Sequence, residues 1–445
     1  MKKYKKWEML EIISILIKAN ESIMKDKTSN VSLNIMNALV QNQEQAILLG
    51  TYLDTLEGTE PFVHCLEDYC ENIYQMSVDF SDENVCRRLS EKIFKQLAEL
   101  RDSIRHQIPD DKKEIVFLPY KASMWDSLES VWKAALEDES CETYVVPIPY
   151  FDKNADGTLG QIHYEGNEYP HDVPVISWEE YSFEEHRPNI TYIHNPYDHC
   201  NYVTSIHPNF YARELKKYTD KLIYIPYFVA MNDKVEPHFC VLPGIMYADK
   251  VIVQSDVVRE TYMDELHKIE RENNCKDVFG NLEEKILALG SPKYDKVLAT
   301  CHQDFQIPKQ WRRIIERFDG TKKKVIIYNT SIQNILIYNE KMLTKIKESL
   351  ETFEKYKDDI ALLWRPHPLL QATLQSLRPE LWNIYSAIVA KYRLAGWGIY
   401  DDSVNADRAI AISDAYYGDG GSLAELYKKV GKPILLQNVK LVINK

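Results

Sequence analysis

At 445 residues the chain is longer than one ordinary hydrophobic core serves, so two or three domains are expected. Hydrophobic residues at 45% and charged residues at 27% are those of a folded globular protein, and 15 glycines with 19 prolines exclude long low-complexity linkers. A formal net charge of −13 argues against DNA or RNA as the main partner, because a phosphate backbone requires a basic footprint; a small phosphorylated ligand in a locally basic groove stays compatible with it.

Residues 1–111 read as an all-α N-terminal domain. Apolar positions recur at three- and four-residue steps, as in Ile35, Leu39, Ile47 and Leu48, and again in Ile93, Leu97, Leu100 and Ile104. Ser81 ahead of Asp82 and Glu83 is the expected helix start, and Pro109-Asp110-Asp111 closes the segment. The first helix carries Lys2, Lys3, Lys5 and Lys6 ahead of Trp7, Leu10, Ile13 and Ile17. Two readings fit it: a core or homo-oligomer helix with a solvated start, or a basic amphipathic helix over residues 1–24 touching anionic lipid at the inner face of the membrane. No apolar run approaches the roughly 18–20 residues of a membrane span.

The pattern changes at Glu114. Short apolar runs at Ile115–Leu118, Tyr144–Pro147, Val173–Trp178, Ile190–Ile193, Leu222–Ile225 and Lys250–Val253 alternate with helical stretches at about 123–136, 209–217 and 256–268. Such alternation means a parallel sheet covered on both faces, so residues 112–305 are expected to form one doubly wound, Rossmann-like domain. A second alternation starts at Lys322, with runs at Lys323–Tyr328, Ile360–Trp364, Ala409–Ile412 and Pro433–Leu436 and helices at about 338–356 and 379–393. Residues 306–445 are therefore the second Rossmann-like domain. The predicted fold class is α/β: two such domains facing a cleft, behind the all-α domain. The eight cysteines form no CxxC pair and no signal peptide is visible, so they read as reduced thiols of a cytoplasmic protein.

Three loops of the second domain fall at the carboxyl ends of its strands, where open α/β sheets bind ligands. One runs from Ser413-Asp414 to Gly418-Asp419-Gly420-Gly421-Ser422 and opens a helix. Glycines there admit a phosphate to the backbone, the helix start supplies free amides, Ser422 adds a hydroxyl, and Glu425 one turn on suits ribose hydroxyls. The second, Arg365-Pro366-His367-Pro368, presents a guanidinium fork and an imidazole on a rigid turn. The third is Asn329-Thr330-Ser331. Their convergence predicts an anion site; each loop alone also reads as an ordinary turn or cap.

In the first domain the dense segment is His194-Asn195-Pro196-Tyr197-Asp198-His199, and six of the twelve histidines fall between His163 and His207. One reading makes His194 or His199 a general base with Asp198 orienting the imidazole. Others are a metal site of His194, Asp198 and His199, whose spacing matches no strong motif, or histidines bonded within a polar loop. The loop Tyr120–Asp126 would face the same cleft.

The residues Arg365-Pro366-His367-Pro368, Ser413-Asp414, the small-residue loop ending at Ser422, and Gly431-Lys432-Pro433-Ile434 resemble the CDP-glycerol glycerophosphotransferases of teichoic-acid-type polymer synthesis, which have the glycosyltransferase-B fold. The resemblance spans roughly 115–440 and is specific in about the last 80 residues. It implies that Arg365, His367, Asp419 and Ser422 hold a donor pyrophosphate, and that a first-domain histidine is the base. The family's His-Gly-Thr reads here as His194-Asn195-Pro196. The implied reaction is proton removal by His194 from an acceptor hydroxyl, attack on the β-phosphorus of a CDP-linked alcohol, and departure of CMP. The implied partners are a nucleotide-linked donor, used as substrate with no cofactor or metal, and a polyol-phosphate or glycan acceptor. A nucleotide-sugar glycosyltransferase and a non-catalytic nucleotide-binding or scaffolding protein remain open alternatives.

Overall fold

The computed structural model describes residues 1–26, 32–154, 156–301, 307–403 and 406–437. It divides into two compact units, Met1–Lys112 and Lys113–Lys445.

The first unit holds four helices, α1 (Lys3–Asp26), α2 (Ser32–Leu53), α3 (Glu60–Val78) and α4 (Glu83–Gln107). Their apolar faces meet in one core that includes Ile13, Leu16, Leu39, Ala46, Leu66, Tyr69, Ile93, Leu97 and Ile104. The start of α4 is capped one residue later than expected. Asp82, not Ser81, accepts from the amides of Asn84 and Val85, and its charge adds a favourable interaction with the helix dipole that a serine lacks. The lysine-rich start of α1 is tied within the unit: Lys6 Nζ donates to the Ile108 carbonyl at 2.7 Å and pairs with Asp110 at 3.0 Å. Ile13 and Ile17 are buried in the bundle core, and Trp7 is exposed. Among the described residues, no helix is long and apolar enough to cross a membrane.

The second unit carries the strands β1 (Lys113–Leu118), β2 (Cys141–Val145), β3 (Tyr150–Lys153), β4 (Leu159–His163), β5 (Ile190–Ile193), β6 (Thr204–Ile206), β7 (Lys221–Tyr224), β8 (Lys250–Val253) and β9 (Ile286–Ala288). After these come β10 (Lys324–Thr330), β11 (Ile360–Pro366), β12 (Ile399–Tyr400), β13 (Ala415–Gly418) and β14 (Ile434–Leu436). One sheet has the order β2-β1-β5-β7-β8-β9 and another β12-β11-β10-β13-β14, with every pairing parallel. Each starts near its middle and grows in both directions, which creates a switch point and a crevice at the carboxyl ends. Two Rossmann-like domains that follow an all-α unit in the sequence, the expected glycosyltransferase-B class, are what this topology shows.

Three local expectations are corrected. Val173–Trp178 is no strand; its contribution to the sheet is a single bridge from Val175 to Val145. Ala409–Ile412 is the last turn of a helix, Ala406–Ile412, rather than a strand. Ser413 ends that helix by donating its hydroxyl to the carbonyls of Ala409 and Ile410, and an apolar run of four fits a buried helical turn as well as a strand. The stretch 209–217 is a 3₁₀ turn, Pro208–Phe210, followed by the one-turn helix Ala212–Leu215.

An antiparallel sheet of order β4-β3-β6 is inserted into the first Rossmann-like domain. Its hairpin turns at Asp156-Gly157, where Gly157 has φ +84°, and its register sets Tyr150 opposite His163. Asp-Gly between strand-like runs is a hairpin signal that the reading as one parallel sheet passed over.

Candidate functional site

The register of the second parallel sheet brings three of the predicted loops to one edge. Asn329 pairs with Arg365 on one side and with Gly418 on the other, at the carboxyl ends of β10, β11 and β13. Gly418 has φ +146°, and a Cβ placed on it would lie 2.3 Å from the Asn329 carbonyl oxygen, so this close approach requires glycine. Asn329 Nδ2 donates to the Arg365 carbonyl at 2.9 Å, and its Oδ1 accepts from the Tyr416 hydroxyl at 3.1 Å. Thr330 is buried and accepts from the Trp364 indole, while Ser331 caps the helix Ile332–Tyr338 through Asn334 N. Asp419 is buried, taking the Ser331 amide at 2.7 Å and the side-chain amides of Asn334 and Gln437 at 2.6 and 2.5 Å. These residues converge as expected, but they bond chiefly to one another and brace the sheet edge.

Arg365 and His367 reach open space. They line a cavity of about 280 Å³, and Lys121, Ser123, Glu165 and Glu168 from the first Rossmann-like domain form its other side. Arg365 is itself buried; it pairs with Asp401 and donates from Nη2 to the Ser403 carbonyl at 2.8 Å. An arginine carries five N–H donors, so this accounts for two of them. His367 fixes the turn after β11: its amide donates to the Thr330 carbonyl at 3.2 Å and its Nδ1 accepts from Leu369 N at 3.2 Å. Trp382, Tyr385 and Tyr400 supply an aromatic wall, with Trp382 and Tyr385 stacked at 6.1 Å.

Lys121 comes from the loop after β1. Its ammonium bonds the Tyr150 hydroxyl at 2.7 Å and lies 3.5 Å from Glu165, which in turn accepts from Tyr150 OH and Ala122 N. Burial lowers the Lys121 pKa, and the Glu165 charge opposes that shift. Each of the two cations is thus matched by a carboxylate, Arg365 by Asp401 and Lys121 by Glu165.

The glycine loop lies elsewhere. Ser422 Oγ donates to the Val229 carbonyl at 2.9 Å, Glu425 accepts from the Asn232 amide at 3.1 Å, and a Cβ on Gly420 would meet the Met231 sulfur at 2.9 Å. Gly420, Gly421, Ser422 and Glu425 therefore sit on the segment 229–232 of the first Rossmann-like domain and do not line the cavity. Ser413 and Asp414 are placed at the opposite end of the sheet. Asp414 takes the Val325 amide at 2.9 Å and pairs with Lys324 at the amino end of β10, and the Ser413 hydroxyl accepts from Tyr427 OH. Neither reaches the carboxyl edge, because the strand after them is β13 itself.

His194 follows β5 as expected, but it is sealed. It is fully buried; Nε2 accepts from Tyr120 N at 3.0 Å, and Nδ1 meets Ser127 Oγ at 2.8 Å. With Nε2 accepting, the proton sits on Nδ1 and is donated to Ser127, whose hydroxyl donates to the Met124 carbonyl. Burial, assisted by the Lys293 charge, brings the His194 pKa down to about 3, so the ring is neutral and has no lone pair left for an acceptor. Asp198 is not brought to it. That carboxylate is buried, accepts from Ala212 N at 3.0 Å, and is pushed up to about 7 by burial. His199 is exposed, packed on Tyr211 and 3.8 Å from Cys200 Sγ. The structure does not bring His194, Asp198 and His199 together: His194 is bonded to Tyr120 and Ser127, Asp198 to Ala212 N, and His199 packs on Tyr211. Among the described residues, no group of three or more His, Cys, Asp or Glu side chains is placed to hold a metal ion.

Sequence reasoning placed the Tyr120–Asp126 loop, and with it Lys121, at the cleft from its position directly after the first strand of a Rossmann-like sheet, but missed Glu165, Asp401 and the aromatic wall as cavity residues. These lie on segments whose placement depends on tertiary packing.

No family model matches the chain, and no curated protein matches it. Among solved structures it is similar to Staphylococcus aureus MnaA in complex with UDP, at 14% identity over 73% of this chain and 78% of that one, with a TM-score of 0.44. The UDP-GlcNAc 2-epimerase of Methanocaldococcus jannaschii, in complex with UDP-GlcNAc and UDP, is 12% identical over 73% and 83% of the two chains, with a TM-score of 0.43. A variant of the wall teichoic acid polymerase TagF is 14% identical over 84% and 78%, with a TM-score of 0.37.

Proposed function

We propose that the chain is a nucleotide-dependent transferase that moves a phospho-alcohol group, of the glycerophosphate type, from a CDP-linked donor to an acceptor hydroxyl. The observation that supports this reading is the cavity at the carboxyl ends of both parallel sheets, with Arg365 and His367 on one wall, Lys121 on the other and Trp382, Tyr385 and Tyr400 beside them. Such a place suits a nucleotide: the aromatic rings take a base, and the guanidinium and imidazole take the diphosphate. Because Arg365 and Lys121 already face carboxylates, a diphosphate has to draw on the remaining N–H groups of Arg365 and on His367, and to compete with Glu165 for Lys121. As the acceptor oxygen attacks, negative charge grows on the departing nucleotide, and these same donors hold it.

Calorimetric titration with CDP, CDP-glycerol, UDP and UDP-GlcNAc tests the reading. Preferred binding of the cytidine ligands, with nucleotide release in the presence of an acceptor, is the expected result. Preference for the uridine ligands makes the chain a nucleotide-sugar glycosyltransferase instead, and no affinity for any of them removes both readings. A second reading, a nucleotide-binding protein without turnover, is favoured by one observation: the histidine at the family's catalytic place is sealed between Tyr120 and Ser127.

A further inference from the structure

A groove of about 570 Å³ adjoins the cavity and shares Lys121, Pro368 and Gln371 with it. Its floor is the inserted antiparallel sheet, which contributes Tyr150, Asp152, Lys153 and His163; its far side is Gln371, Gln375 and Ser376. Resting on the assignment of the cavity to a nucleotide-linked donor, we propose that this groove binds the acceptor, that the acceptor is an uncharged polyhydroxylated molecule, a polyol or glycan, and that His163 held by Asp152 takes its proton.

Position supports the role of His163. Its Nε2 lies 2.6 Å from Asp152 Oδ2, and the carboxylate fixes the tautomer with the proton on Nε2. Nδ1 then carries the lone pair, and no hydrogen bond to it occurs among the described residues. The ring stacks on Tyr150 at 5.2 Å, and the Tyr150 hydroxyl bonds both Lys121 and Glu165 of the cavity wall. A base oriented by a carboxylate therefore stands one aromatic ring away from the donor cavity.

Charge supports the acceptor class. Lys121 is matched by Glu165; Lys153, whose ammonium donates to the His199 carbonyl, keeps its charge, and the Asp152 carboxylate beside a neutral His163 offsets it. Tyr150, Gln371, Gln375 and Ser376 add hydroxyls and amides, which donate to and accept from hydroxyl groups equally well. A polyanionic acceptor would find no net positive charge there and would meet a chain of net charge −13.

The step balances without a further reagent. The acceptor O–H gives its proton to His163 Nδ1, and its oxygen forms the new bond to the transferred group. The bond from that group to the nucleotide phosphate breaks, and its electron pair leaves with the nucleotide.

The test uses the full chain with CDP-glycerol or UDP-glucose as donor. Nucleotide release is followed with glycerol, ribitol or maltotriose as neutral acceptors and with poly(glycerol phosphate) as the anionic one, while CDP affinity is measured in parallel. Release should be stimulated by a neutral acceptor. His163→Gln should lower kcat by about 10²- to 10⁴-fold, the usual contribution of a general base, with CDP affinity unchanged. Asp152→Asn should lower kcat as well, because its amide can offer an N–H to Nε2 and so admit the tautomer that puts the proton on Nδ1; a purely structural role would weaken CDP binding along with turnover. Retained CDP affinity certifies the fold of each variant, and if His163→Gln does not fold, the kcat of Asp152→Asn decides. The proposal is overturned by wild-type kcat in His163→Gln or in Asp152→Asn, by preference for poly(glycerol phosphate), or by CDP binding with no stimulation from any neutral acceptor. Absence of CDP binding is a different result and removes the donor assignment on which the proposal stands.

Discussion

The sealed state of His194 makes a quantitative prediction about pH. In the folded chain its pKa is brought down to about 3 from the ordinary 6.5, so between those values the unfolded chain binds a proton that the folded chain refuses. Stability contributed at this site is therefore complete above about pH 6.5 and is lost as pH falls. Lowering pH from 7 to 5 should cost about 2 kcal/mol, from the 1.36 kcal/mol per pKa unit over the part of the window crossed. Other groups act in the opposite sense: Asp198 and Asp407 are both pushed up to about 7 by burial, and they gain protons on folding in the same range. The wild-type curve is thus a composite, and a difference curve is needed. His194→Gln keeps an acceptor for Tyr120 N and a donor for Ser127 but does not titrate. Denaturant unfolding of both chains at pH 7 and pH 5 should show the variant gaining about 2 kcal/mol relative to wild type at the lower pH. Parallel curves for the two chains, or an NMR titration placing the His194 ring near 6.5, would refute the sealed neutral imidazole.

Three further perturbations follow from contacts in the second unit. Arg365→Ala leaves the buried Asp401 carboxylate without its partner and should cost about 3–5 kcal/mol in denaturant unfolding, with much of the loss recovered by adding Asp401→Asn; a loss under about 1 kcal/mol would contradict a buried pair. Gly418→Ala forces a Cβ against the Asn329 carbonyl at positive φ and should destabilise by about 2 kcal/mol or more, read as a fall in Tm, whereas a neutral result would mean that β10 and β13 are not so closely apposed. Glu165→Gln removes the charge beside Lys121 and keeps one acceptor oxygen, for Ala122 N, while its amide N–H faces the Tyr150 oxygen, so CDP should bind about three- to tenfold more tightly by calorimetry; unchanged or weaker binding would mean that Lys121 does not meet the phosphates.

Much of the fold was legible because strand and helix periods differ. Ile115–Leu118 became β1, Ile360–Trp364 lies within β11, and the rule that parallel sheets bind ligands at carboxyl ends located the edge where Asn329, Arg365 and Gly418 meet. The failures have particular causes. Ala409–Ile412 is too short for its period to distinguish a buried helical turn from a strand, and that error put Ser413 and Asp414 at the carboxyl edge instead of the amino edge. The His194–His199 segment is polar in sequence, yet a neutral imidazole with both nitrogens bonded buries well, and the partners Tyr120 and Ser127 lie some seventy residues earlier. His163 and Asp152 meet across a hairpin, a pairing set by the register of β3 and β4 that no spacing rule exposes. The glycine loop was read as a phosphate cradle from its composition, while Gly418 abuts the Asn329 backbone and Gly420 faces Met231 of the first Rossmann-like domain.

The central claim is that the cavity between Arg365–His367 and Lys121 holds the donor diphosphate. A crystal structure of the chain soaked with CDP-glycerol tests it directly. Diphosphate density is expected within hydrogen-bonding distance of Arg365 and His367, with the base against Trp382, Tyr385 or Tyr400. Density instead at the Gly421–Ser422 helix start, or none at a concentration where calorimetry shows saturation, would contradict it.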